Sequence, residues 1–260
     1  MIGAIAGDII GSIYEFDNHR SKEFELFKST STYTDDTVLT VAVADAILED
    51  GNYGKRIWDY ANRYPDESYG GRFIKWMNST NPEPYNSWGN GSAMRVSPIG
   101  FAFNSISKVL IEAEKSAKIS HNHPEGIKGA QATALAIFLA RQGTEKQMIK
   151  NEISKRFGYN LDRTVDEIRP FYTFNESCQE TVPEAIISFI ESNSYEDAVR
   201  TAVSLGGDTD TITCITGGIA AAFYGILPEK IVAETKKRLP KDLLEVTERF
   251  EIKYGDKPAN

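Results

Sequence analysis

Cysteine is scarce in this chain of 260 residues: Cys178 and Cys214 are the only two, far apart and outside any CxxC spacing. That counts against a disulfide framework and against a thiolate zinc site, and it reads as an intracellular protein. Positive charge is also in deficit, with 29 Lys and Arg against 37 Asp and Glu and a formal net charge of −8. A protein that neutralises phosphates along a strand shows a basic stripe; this one has none, so no nucleic-acid partner is expected. A local basic pocket for a small phosphate stays compatible with that balance.

Long hydrophobic runs are missing too. The most apolar segment, Ile212 to Leu227, is interrupted by Gly217, Gly218 and Gly225 and is short for a bilayer. The opening "MIGAIAGDIIGSIYEF" has no basic start, and Asp8 breaks its apolar run, unlike a signal peptide. A cytoplasmic location with no membrane association is therefore expected. Alternating strand patterns are scarce, the best being the short "TFNESCQETV", and no repeat of solenoid period is visible.

What the sequence does have is helical periodicity. Its 41% hydrophobic and 25% charged residues are ordinary for a globular domain able to bury a sizeable core. Ile2, Ile5, Ile9 and Ile13 lie on one stripe; Val38, Leu39, Val41, Ala42, Ala46 and Ile47 form another after "TYTDDT". "PEGIKGAQATALAIFLARQG" predicts a helix with Pro124 in its first turn and Gly143 past its end. Further helices are predicted to the C-terminus, including "VPEAIISFIES" and "DTITCITGGIAAAFYG". The expectation is an all-α, single domain over residues 1–260. Two irregular stretches, Asp17 to Tyr33 and "NSTNPEPYNSWGNGSAMR", have a length that in a compact domain marks a loop as either functional or disordered.

Acidic residues then concentrate at two predicted helix starts. "TYTDDT" carries Thr34, Asp35 and Asp36; "GGDTDT" carries Asp208, Asp210 and Thr211. Capping accounts for either start taken alone. Together they exceed what capping needs, because clustered carboxylates repel and their burial requires an offsetting cation. Donors that are all oxygen favour Mg²⁺ or Mn²⁺ over zinc, and two helix starts that meet could bracket a pair of ions. In "AGDIIGSIYE", Asp8 and Glu15 are seven residues apart, a spacing of about two helical turns that places them near one helix face. Asp8 reads as a structural contact at a helix crossing that Gly7 and Gly11 permit. Glu15, at a helix end where the dipole disfavours a carboxylate, leaves room for a functional role.

"WGNGSAMR" can expose backbone amides to a phosphate or diphosphate, with Trp88 beside it to stack on a ring, although a plain turn is the more frequent explanation of such a loop. It is not a P-loop. "SHNHPEG" holds His121 and His123 without a third metal ligand nearby, which suits hydrogen bonding at a helix start.

Taken in order, "GAIAGDIIGSIYE", "YTDDT", "GNGSAMRVSPIG", "SHNHPEGIKGAQATA" and "SLGGDTDTITCITGGIAAAFYG" resemble the ADP-ribosylglycohydrolase family, the enzymes related to the dinitrogenase-reductase-activating glycohydrolase. The resemblance implies an orthogonal multi-helix assembly with two divalent ions, Mg²⁺ or Mn²⁺, at the bottom of a cleft. It implies Thr34, Asp35, Asp36, Asp208, Asp210 and Thr211 as metal ligands, and Glu15, Asp36 and Asp208 as catalytic groups. It also implies Gly89, Asn90, Gly91, Ser92, Met94 and His121 along the ADP-ribose, which would put the Trp88 ring beside the same ligand. Some relatives use a further carboxylate before the glycine loop; Glu83 is the nearest here. The implied reaction is hydrolysis of the bond between ADP-ribose and an acceptor, most simply a protein side chain. The alternatives are a free small ADP-ribosyl or N-glycosidic compound as substrate, or a non-catalytic relative that binds ADP-ribose or is structural.

Overall fold

The computed structural model describes residues 1–255, and helices carry almost all of its regular structure. The first half contains α1 (Ile2–Gly11), α2 (Asp35–Leu48), α3 (Tyr53–Arg63), α4 (Gly71–Met77), α5 (Ser97–Ala102), α6 (Ile106–Lys118) and α7 (Pro124–Arg141). The second half contains α8 (Lys146–Phe157), α9 (Val165–Ile168), α10 (Cys178–Ile190), α11 (Tyr195–Val203), α12 (Thr209–Tyr224), α13 (Glu229–Arg238) and α14 (Lys241–Tyr254). Two single 3₁₀ turns, Asn90–Ser92 and Met94–Val96, lie between α4 and α5. Among the described residues there is no strand, only an isolated bridge between Gly89 and Ser177.

The centre is the crossing of α1 with α12. Every residue of α1 is buried, and so is α12 from Thr209 to Ala221. The two backbones touch because glycines remove the side chains between them. A Cβ on Gly7 would lie 2.7 Å from the Thr213 carbonyl carbon, and one on Gly11 would lie 2.7 Å from Asp210 Cα. Polar groups close the same seam: Thr209 Oγ1 donates to the Gly11 carbonyl (2.9 Å), and Tyr195 Oη to that of Gly3 (2.7 Å). These bonds tie the two ends of α1, at Gly3 and Gly11, to α11 and α12. Helices α2, α7, α10 and α11 pack around this pair.

Local signals explain several boundaries. Pro124 opens α7, with His123 Nδ1 accepting from Glu125 N at its cap (3.1 Å). Gly143 follows α7 at φ +74°, where a glycine is favoured. Ser105 and Ser194 cap α6 and α11. Among the described residues, no helix is long and apolar enough to cross a membrane.

Two expectations fail. "TFNESCQETV" is irregular up to Ser177 and helical from Cys178. Its backbone pairs with the glycine loop instead of a strand: Asn90 N donates to the Glu176 carbonyl (2.7 Å) and Cys178 N to that of Trp88 (3.0 Å). Asp8 and Glu15 do not share a helix face, because α1 stops at Gly11 and Glu15 sits in the turns that follow.

Candidate metal centre and substrate cleft

The start of α2 is built around Asp8. Its carboxylate accepts from Thr34 N (3.0 Å), Thr34 Oγ1 (2.8 Å), Thr37 N (3.1 Å) and the Thr37 hydroxyl. Buried in α1, Asp8 thus ties the crossing to the first turn of α2. Thr34 caps α2, accepting from Asp36 N at 3.3 Å. With the cap satisfied by Thr34, Asp35 and Asp36 are free to face elsewhere.

The start of α12 is set by Gly206 and Gly207, both left-handed at φ +70° and +73°. A Cβ on Gly207 would lie 2.6 Å from the Tyr172 ring, so the turn requires glycine on two counts. Asp208 occupies the cap position but makes no capping bond. Its Oδ2 instead accepts from Asn90 Nδ2 at 2.6 Å, and Asn90 also donates to Thr181 Oγ1 at 3.0 Å. Thr211 Oγ1 lies 3.3 Å from Asp36 Oδ2, joining the two helix starts directly.

The two starts meet at the floor of an open cleft of about 210 Å³, lined there by Glu15, Asp35, Asp36, Asp208, Asp210 and Thr211. Glu15, Asp208 and Asp210 each place a carboxylate oxygen within 4.8 Å of the others. Burial, and then the Asp210 charge, raises Asp35, Asp36 and Asp208 well above the ordinary carboxylate range. The same causes push Glu15 up to about 8 and Asp8 to about 7. The largest charge effects on Asp36 and Asp208 come from other carboxylates. Asp36 Oδ1 is buried and has no hydrogen-bond partner among the described residues. An orphaned oxygen in a cluster of oxygen donors is the environment of a hard divalent cation.

The cleft has a second, basic pole. Arg72, Arg95 and His121 line it together with Tyr85, Gly89, Asn90, Gly91 and Met94. Arg95 is fully buried with no carboxylate partner, and its Nε and Nη1 are unpaired among the described residues. Burial lowers it to about 10. The Arg72 guanidinium stacks 4.9 Å from the Tyr85 ring centre, and the Tyr85 and His121 rings lie 5.8 Å apart.

Not every expected residue faces the cleft. Thr34 is buried and outside the lining, where its hydroxyl donates to Asp8 and accepts from Asp36 N. Ser92 donates to the Gly126 carbonyl at 2.7 Å and packs beneath the glycine loop. Trp88 is 49% exposed beside His123, 5.9 Å between ring centres, outside the lining. Glu83 borders a separate groove with Lys75 and Trp76. The additional carboxylate at the cleft is Glu176. Arg72, Arg95 and Glu176 escaped the sequence reading. Only Arg95 had a local signal, an arginine directly after the apolar pair Ala93–Met94 in a stretch entering the core.

Comparison with known proteins gives one consistent result. The family model described as ADP-ribosylglycohydrolase matches residues 1–259. ADP-ribosylhydrolase ARH3 of Xenopus tropicalis is 27% identical over 302 aligned positions, covering 86% of each chain. ADP-ribosylarginine hydrolase Tri1 of Pseudomonas putida is 24% identical, covering 87% of this chain and 70% of its own. A solved ADP-ribosylglycohydrolase-related protein complex superposes with a TM-score of 0.71 at 21% identity, over 96% of this chain and 95% of that one.

Proposed function

The chain belongs to the ADP-ribosylglycohydrolase family, and from that premise we propose that it is a binuclear-metal-dependent hydrolase that cleaves ADP-ribose from a protein side chain. The observation that carries this reading is the two-pole cleft: uncompensated carboxylates at the floor, and at the other end, beside a glycine loop, Arg72 and a buried Arg95 whose Nε and Nη1 have no partner among the described residues. A ligand that carries a vicinal diol at one end and a diphosphate at the other fits that polarity. The similarity to ADP-ribosylhydrolase ARH3 and to ADP-ribosylarginine hydrolase Tri1 supports ADP-ribosylated substrates.

In this reading Asp35, Asp36, Asp208, Asp210 and Thr211 hold two Mg²⁺ or Mn²⁺ ions, and Thr34 orients Asp36. The bound ions would supply Lewis-acid polarisation of the ribose hydroxyls and of a water. The protein's own part begins with orientation. Arg72, Arg95, His121 and the 89–91 loop fix the diphosphate, which holds the anomeric carbon over the acidic floor. Asn90 spans both poles, since its backbone lies in the loop and its amide holds Asp208. As the glycosidic bond breaks, positive charge develops on the ribose, and the Asp36 and Asp208 carboxylates stabilise it. Water adds at the anomeric carbon, and the side chain leaves with a proton. Glu15 is half-buried beside Asp208 and Asp210, and it is the group assigned to move that proton.

The test is to incubate the protein with arginine-, serine- and cysteine-linked ADP-ribosyl proteins, with Mg²⁺ or Mn²⁺ or with chelator, and to measure free ADP-ribose. Metal-dependent release from at least one linkage is expected. Release from none of them overturns the reading, and release only from small ADP-ribosyl compounds moves the acceptor to that class.

A further inference from the structure

At the basic pole, a chain of buried hydrogen bonds has a direction that donor and acceptor chemistry fixes. Arg95 can only donate. Its Nη2 donates to the Ser116 carbonyl (2.7 Å) and to Ser120 Oγ (3.2 Å). Ser120 is fully buried, and its Oγ lies 2.7 Å from His121 Nδ1. If Nδ1 carried the imidazole proton, Ser120 Oγ would accept from both sides. Its own hydroxyl proton would then have no acceptor among the described residues and would incur the full desolvation penalty. If Nδ1 is bare, the serine donates to it and all members of the chain are paired. The imidazole proton then resides on Nε2.

That nitrogen faces the glycine loop. A Cβ on Gly91 would lie 3.1 Å from His121 Nε2, and one on Gly89 would lie 3.5 Å away. His121 also lines the cleft, and its one side-chain hydrogen bond among the described residues is made through Nδ1, which leaves Nε2 for a ligand. Burial, with Arg95 and Arg72 nearby, holds the ring far on the neutral side of its ordinary range.

We propose that Arg95 and Ser120 are positioning residues that lock His121 in its Nε2–H tautomer, so that the ring presents a fixed, uncharged donor to an anionic oxygen of the ligand. The opposite tautomer would turn a lone pair toward that oxygen and repel it. The identity of the anion as the diphosphate of ADP-ribose rests on the proposed function; the tautomer does not.

The experiment uses the full chain labelled with ¹⁵N-histidine. Its three histidines are His19, His121 and His123, so long-range ¹H–¹⁵N correlation spectra assigned with His19→Gln and His123→Gln are tractable. At pH 7, His121 is expected to show a protonated, pyrrole-type Nε2 and a bare, pyridine-type Nδ1. A protonated Nδ1, alone or together with Nε2, overturns the proposal. Ser120→Ala is expected to give a mixture of both tautomers and a roughly tenfold weaker Kd for free ADP-ribose, the loss of one oriented hydrogen bond. A Ser120→Ala protein that keeps the single Nε2–H form and the wild-type Kd overturns the relay. A wild-type chain with the expected tautomer that becomes mixed in Ser120→Ala, yet without any affinity for ADP-ribose, supports the relay and overturns the ligand assignment.

Discussion

Replacing Gly7 by alanine tests the helix crossing that creates the site. The new methyl would lie 2.7 Å from the Thr213 carbonyl carbon and 3.0 Å from Cys214 N, against backbone that cannot rotate away. Overpacking of this kind costs about 1–3 kcal/mol, and rigid backbone at the contact places Gly7→Ala at the upper end. Alanine returns about 1 kcal/mol in helix propensity. The net expectation is a destabilisation of about 2 kcal/mol, a fall in Tm of roughly 4–8 °C for a chain of this size. Urea unfolding followed by circular dichroism reads the midpoint and the slope separately. Gly54→Ala is the control, because the nearest atom to its Cβ is 3.8 Å away; it should be neutral or slightly stabilising. Since α1 also carries Asp8 and leads into Glu15, Gly7→Ala should weaken divalent-ion binding as well. A Gly7→Ala protein as stable as wild type would refute the argument that backbone contact at this crossing sets the geometry.

Three further outcomes follow from the same site. Asp8→Ala should cost roughly 3 kcal/mol, because the buried amides of Thr34 and Thr37 lose their acceptor; urea unfolding at fixed metal concentration measures it. Asn90→Asp should lower kcat/KM for ADP-ribose release at least a hundredfold, since it sets a further carboxylate against Asp208, 2.6 Å from the amide it replaces. The chelator-treated chain should lose stability as pH rises from about 4 to 8. Asp8 and Glu15 have folded values raised to about 7 and about 8, so the folded state binds more protons than the unfolded chain across that window and is favoured at its acid end. Thermal melts at pH 5.5 and 8 check the sign, and Mg²⁺ or Mn²⁺ should remove most of the difference.

Much of the fold was legible because strong local signals agreed with the packing. Pro124 and Gly143 bracket α7, and the Thr34 cap marks the start of α2. Asp8 was readable as a structural contact because a carboxylate in an apolar glycine-bearing helix needs donors, and Thr34 and Thr37 supply them. The turns after Gly11 were not readable, since the pattern through Ile13 continues the helical stripe. "TFNESCQETV" failed because its pairing partner is the glycine loop more than eighty residues away, a contact that no local alternation reveals. The acidic floor could be found because clustered carboxylates without a cation are unusual in any sequence. The basic pole was harder to find: the apolar pair before Arg95 is a weak signal, and for Arg72 and Glu176 nothing local separates a cleft residue from a solvated one. Hydroxyl residues were the least predictable, as Thr34 and Ser92 spend their hydrogen bonds inside the protein.

The central claim is that two helix starts, far apart in sequence, form one divalent-cation centre. Calorimetric titration of the chelator-treated protein with Mn²⁺ tests it most directly, with Asp36→Asn titrated alongside. The expected result is saturable binding of two ions to the wild-type chain and the loss of at least one of them in the folded variant. Absence of Mn²⁺ and Mg²⁺ binding by the wild-type chain, or undiminished binding by Asp36→Asn, would contradict it.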